Sequence, residues 1–316
     1  MNNSETIDQV RASVGKAVIG QTGIVEQVLI ALIAGGHVLL EGVPGLGKTL
    51  LARALAKSLD MTFARVQFTP DLMPSDVSGH AVYDPKTESF RIRRGPVFTN
   101  LLLADEINRA PAKTQASLLE VMQERQVTIE GKGFELPPPF LTIATQNPIE
   151  SEGTYPLPEA QIDRFLLKVL MDYPAEDEER GLVSAVTSGS VGDGFNLTAV
   201  DQVINGEQLI ALQGEAAELT VDDAVRDYAV DIVRHTRDWA GVAVGAGPRG
   251  SIALLRAARA AAFVAGRDFT TPDDVKHVAL PALRHRIILA PEMEIESYTT
   301  DDVLGEILDK VEAPRA

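Results

Sequence analysis

A lysine and a threonine at positions 48 and 49 close the run GVPGLGKT, which begins at Gly42. The pattern is G-x-x-x-x-G-K-[ST], and each fixed position has a physical reason. Gly42, Gly45 and Gly47 let backbone N–H groups turn toward one point, with Val43, Pro44 and Leu46 between them. Phosphate oxygens at that point would meet those groups and the N-terminus of a helix opened by Lys48, Thr49 and Leu50. Lys48 would reach the β- and γ-phosphates, and Thr49 would ligate Mg²⁺. A tight strand-to-helix turn is the alternative.

NLLLADE is the natural partner of that loop. An apolar strand delivering Asp105 and Glu106 at its C-terminal edge puts two carboxylates where open sheets bind ligands. Asp105 would hold Mg²⁺ through water, and Glu106 would polarise an attacking water as general base. Taken alone, an apolar run ending in two acids is also a common strand end. LTIATQNP ends a further strand at Gln146 and Asn147, where an amide would orient that water or simply lead the turn into Pro148. In LPEAQIDRF, Arg164 follows Asp163. Its guanidinium would neutralise charge on a transferred phosphoryl group, supplied from another subunit, or else form a helix-end ion pair. Arg249, in GAGPRGS, starts a later helix, where it would touch phosphates or serve the fold. His37, His80, His235, His277 and His285 are scattered without metal-ligand spacing, and Trp239 is read as packing.

The elements that must position these residues are legible as periodicities. HVLLEG, FARVQF, NLLLADE, PFLTIATQN and RFLLKVLMDY read as buried strands, with helical stretches such as TLLARALAKSLD and AKTQASLLEVMQER between several of them. That alternation predicts a doubly wound parallel α/β sheet. One helical segment spans about Ile7 to Leu32. GHAVYDPKTESFRIRRG and QVTIEGKGFELPPPF read as two β-hairpins inserted into the scheme, functional or merely decorative. The four acids Glu176 to Glu179 read as a helix start. TSGSVGDGFN reads as a linker, and only helical patterns follow it, with Thr271 and Pro272 opening one of them. We therefore expect a core over residues 1–188 and a smaller all-α lid over residues 189–316.

Composition narrows the partners. The 316 residues carry a formal net charge of −16, which argues against nucleic acid, whose binders neutralise phosphates with a basic surface; FRIRRG is the one basic candidate patch. Cysteine is absent, which excludes disulfides and thiolate chemistry. The polar N-terminus lacks a secretory layout and no apolar run is long enough to span a bilayer, so a cytoplasmic protein is expected.

The ordered set GVPGLGKT, LLLADEINRAPAKTQ, ATQNP, EAQIDRF and GPRGSIALLRAARAAA resembles the MoxR family of AAA+ ATPases, from Val18 to about Leu289. The resemblance implies ATP and Mg²⁺ as cofactors and an adenine pocket lined by Val18, Ile19 and Gly20. It gives Asn147, Arg164 and Arg249 the roles of sensor 1, arginine finger and sensor 2. Arg109 competes with Arg164 for the intersubunit role, and Arg249 acts on its own or a neighbour's nucleotide. The hairpins look like the helix-2 and pre-sensor-1 inserts that face a central pore. Also implied are a homo-oligomeric ring, a hexamer, and chaperone-like work on protein clients. Those extend to metalloenzyme maturation beside a von Willebrand factor A domain protein. A nucleic-acid motor or loader and a nonhydrolytic nucleotide-gated scaffold are the alternatives.

Overall fold

The computed structural model describes residues 3–148, 153–187 and 197–314. Five strands form the core: β1 (Val38–Gly42), β2 (Phe63–Gln67), β3 (Leu101–Asp105), β4 (Leu141–Gln146) and β5 (Leu167–Met171). All pairings are parallel, in the order β2-β3-β4-β1-β5. Each expected strand is present. The sheet is apolar on both sides because alternate residues serve opposite faces. Val38, Leu40, Leu101, Leu103, Ile143 and Val169 join one buried cluster, while Leu39, Leu102, Ala104 and Ala144 join the other.

The N-terminal segment is two helices rather than one, Asn3–Gly15 and Thr22–Ile33. Gly20 explains the break: its φ is +74°, and a Cβ there would sit 2.7 Å from Glu178 Cβ. Only glycine satisfies both demands. The two hairpins are formed by Gly79–Asp84 with Ser89–Arg94 and by Gln126–Ile129 with Lys132–Glu135. The acids from Glu176 open the helix Glu176–Thr187, as expected.

The lid is helical, built on Gly206–Ala217, Asp223–Asp238, Pro248–Val264, Pro272–Leu283 and Thr300–Lys310. Side chains of Asn205, Asp222, Thr271 and Thr299 cap four of these helices. It carries in addition a two-strand ribbon, Val242–Val244 against Ile288–Leu289. The expected boundary at 188/189 lies outside the described residues. One apolar cluster runs through both parts, and Arg256 donates to the Ala34 carbonyl at 2.6 Å, so the lid is docked on the core. No described helix is long and apolar enough to cross a membrane.

His37 sits where β1 begins and is buried. Its Nδ1 accepts from the Thr142 N–H at 3.0 Å, which leaves Nε2–H to donate to the Met122 carbonyl at 3.1 Å. Burial is the main cause that brings its pKa down to about 4. Between pH 6.5 and 4 the unfolded chain therefore binds a proton that the native one refuses, and stability falls as pH falls, by about 3 kcal/mol from this residue. His285, also pushed down by burial, adds in the same direction. Urea midpoints measured from pH 7 to 4 should show this loss. His37→Gln should be less stable at pH 7 but lose less across that range.

Candidate functional site

The GVPGLGKT loop joins β1 to the helix Lys48–Ser58. Gly45 and Gly47 adopt φ of +89° and +82°, which curls the loop so that its N–H groups line a concave surface. Gly47 is the helix N-cap and offers no side-chain acceptor, unlike the four capped lid helices. The first N–H groups of this helix are thus left for a ligand. Lys48 Nζ donates to the Gly42 carbonyl and lies 3.4 Å from the Gln146 carbonyl. Burial lowers its pKa, against Asp105, Glu106 and Glu41, whose charges raise it.

Beside the loop is a cavity of about 220 Å³. Val18, Ile19, Pro44, Gly45, Leu46, Gly47 and Leu50 line it, and Gly20 lies in the same turn. Six lining residues were not expected there: Ala17, Gln21, Tyr173, Pro174, Glu179 and Leu182. Gln21 donates to the Leu46 carbonyl at 2.9 Å and ties the turn to the loop. Tyr173 and Pro174 follow β5, the neighbour of β1, and that adjacency was the only available signal.

Asp105 and Glu106 arrive at the same end of the sheet. Thr145, on β4, donates to Asp105 Oδ1 at 2.6 Å and accepts from the Glu106 N–H at 2.8 Å. Asp105 Oδ2 takes two bonds from Arg65. Glu106 has a left-handed backbone with φ of +56°, an uncommon conformation for a non-glycine residue that clusters at functional sites. Its Oε2 accepts from Gln67 at 2.5 Å and from Arg109 at 2.9 Å. Arg109 therefore engages its own chain's Glu106. Asn147 is buried directly after β4. Thr49 and Asp105 supply hard oxygen donors, while no described cluster of three or more acids or histidines forms a self-sufficient metal site. That donor set fits Mg²⁺ arriving with phosphates and waters.

Arg164 and Arg249 lie elsewhere. The Leu166 N–H donates to the His37 carbonyl at 2.8 Å, which fixes the Asp163–Arg164 turn at the N-terminal edge of the sheet. The phosphate loop leaves the opposite edge, one β1 strand away, about 16 Å. A cavity of about 360 Å³ there is lined by Arg164, Arg249, Arg125, Arg256, Arg286 and Asp163. Arg164 Nε is buried without a hydrogen-bond partner, and Arg249 is 3.6 Å from Asp163. In this arrangement neither arginine is brought to the phosphate loop of its own chain.

Arg286 was not anticipated. Its side chain is 3% exposed, and it binds Asp163 Oδ1 at 2.7 Å and the Phe165 carbonyl at 2.7 Å. A lid residue thus fixes the turn that carries Arg164. Arg286→Leu should cost about 3 kcal/mol by removing buried charge-assisted bonds to Asp163 Oδ1 and the Phe165 carbonyl, read as a lowered urea midpoint.

The matched family models are "ATPase family associated with various cellular activities (AAA)" over residues 37–167 and "AAA lid domain" over residues 221–307. Among relatives, Chaperone MoxR1 of Mycobacterium tuberculosis is 44% identical, spanning 98% of this chain and 83% of its own. The Bacillus subtilis protein YeaC, uncharacterized, is 46% identical over 95% of this chain and 92% of its own. A crystallised Cytophaga hutchinsonii protein assigned as an ATPase superposes with a TM-score of 0.91 at 42% identity, covering 99% of this chain and 96% of that one. With the phosphate loop, the paired acids and the helical lid in place, the chain belongs to the MoxR family of AAA+ ATPases.

Proposed function

We propose that the protein hydrolyses ATP at sites shared between subunits of a homo-oligomeric ring, a hexamer, and uses the cycle to remodel protein clients in the cytoplasm. The observation that carries this reading is the division of the site between opposite edges of the sheet. Adenine would sit against Val18, Ile19 and Gly20, and the loop from Gly42 to Thr49 would hold the phosphates. Mg²⁺, held by the Thr49 hydroxyl and by Asp105, would neutralise charge on the β- and γ-phosphates. Glu106 takes a proton from the attacking water, which Asn147 orients.

Arg164 completes the site of a neighbour rather than its own. Support comes from its distance along β1 and from the cluster of guanidiniums around it, with Asp163 as the one carboxylate among the described residues lining the cavity. Such a cluster, in a chain of net charge −16, suits a triphosphate. Arg249 shares that cavity, so we assign it to the neighbour's nucleotide too. The residue 1–188 unit is then the hydrolytic core, and residues 189–316 carry the motion.

The first hairpin supports a protein client over nucleic acid. Tyr83 and Phe90 stack edge to face at 5.4 Å and stand 51% and 72% exposed. Of its arginines, Arg91 is paired with Asp84 at 2.9 Å and Arg94 lies over the Phe98 ring. The most specific form of the reading is maturation of a metalloenzyme beside a von Willebrand factor A domain protein.

Glu106→Gln should bind ATP yet lose hydrolysis by roughly a hundredfold or more, since general-base help is typically worth that much. Lys48→Ala should lose ATP binding. A phosphate-release assay with parallel calorimetry checks both, and equal turnover in wild type and Glu106→Gln would remove Glu106 from its role. Capture of partners on the ATP-loaded Glu106→Gln ring reads the client.

A further inference from the structure

Arg65 is absent from every role above, yet it makes a two-pronged contact with Asp105 Oδ2. It lies on β2, an edge strand, where the register sets Gln67 opposite Asp105. Arg65 and Gln67 are two residues apart and share a face of the strand. The Arg65 guanidinium donates to Asp105 Oδ2 through Nε at 3.0 Å and Nη2 at 2.7 Å. Nη2 also donates to Gln67 Oε1 at 2.7 Å. The Gln67 amide in turn donates to Glu106 Oε2. Since Thr145 holds Asp105 Oδ1, both oxygens of the carboxylate are engaged. Arg65 is 47% exposed, while Asp105 is 13% exposed, so the arginine can swing into water and the aspartate cannot follow.

We propose that Arg65 is a positioning residue. It occupies Asp105 Oδ2 in the metal-free protein and yields that oxygen when Mg²⁺ enters with nucleotide. By leaving, it also frees Gln67 and so loosens the hold on Glu106. A guanidinium and Mg²⁺ compete for one carboxylate oxygen, and the loser's departure is felt two hydrogen bonds away at the general base. The site is therefore armed by the metal. This rests on the ATPase reading above.

The test is ADP binding by calorimetry on the whole protein, titrated with Mg²⁺, for wild type, Arg65→Ala and Arg65→Lys. Removing a half-exposed competitor should let Arg65→Ala reach half of its full Mg²⁺ effect at about two- to fivefold less Mg²⁺, with metal-free ADP affinity unchanged. Arg65→Lys should move back toward wild type. An unchanged or raised Mg²⁺ requirement in Arg65→Ala would overturn the proposal. The displacement is also read from kcat at saturating Mg²⁺. Arg65 has already left Asp105 under that condition, so Arg65→Ala should keep the wild-type kcat there, and a changed kcat would overturn the displacement. A wild type with no Mg²⁺-dependent ADP binding would instead defeat the ATPase reading, a result distinct from equal midpoints.

Discussion

A parallel sheet has two unlike ends, and the candidate site residues of this protein divide between them. Strand C-termini gather the phosphate loop, Asp105, Glu106 and Asn147 at one edge. Strand N-termini gather His37, Asp163 and Arg164 at the other. The sheet is buried on both faces and cannot bend one edge round to meet the other. An arginine on the far edge is held about one strand length from the phosphate loop of its own chain. The separation of these two groups is thus a property of the topology.

The lid gives that far edge its shape. Arg286 reaches from the lid into the turn before β5, and Arg284 pairs with Asp301 while donating to the Lys168 carbonyl. Arg249 and Arg256 come from one lid helix to the same cavity. Guanidiniums crowd there: the charges of Arg125 and Arg259, after burial, lower the pKa of Arg256. Shifting the lid would therefore shift the arginines.

Much of this was legible in the sequence because the chemistry is contiguous. The GVPGLGKT loop, the acids ending NLLLADE and the amides ending LTIATQN are each local runs on a strand end, and short apolar runs marked all five strands. The residues that escaped notice are those that only tertiary register brings in. Arg65 and Gln67 matter because β2 lies beside β3, and Thr145 because β4 lies on the other side. Arg286 reads as one more lid arginine until its carbonyl partners are seen. The N-terminal break was hidden because Gly20 is demanded by Glu178, more than 150 residues away in sequence. The ribbon at Val242–Val244 is too short to leave a pattern.

The most direct measurement of the divided site is ATPase activity in mixed oligomers of Arg164→Ala and Glu106→Gln subunits, each nearly inactive alone. In a mixture, some interfaces pair the intact Glu106 of one subunit with the intact Arg164 of its neighbour. Turnover should return on mixing, to about a quarter of wild type if equal amounts assemble at random and each interface works independently. A mixture as inactive as its components, in rings shown to contain both, would contradict the divided site.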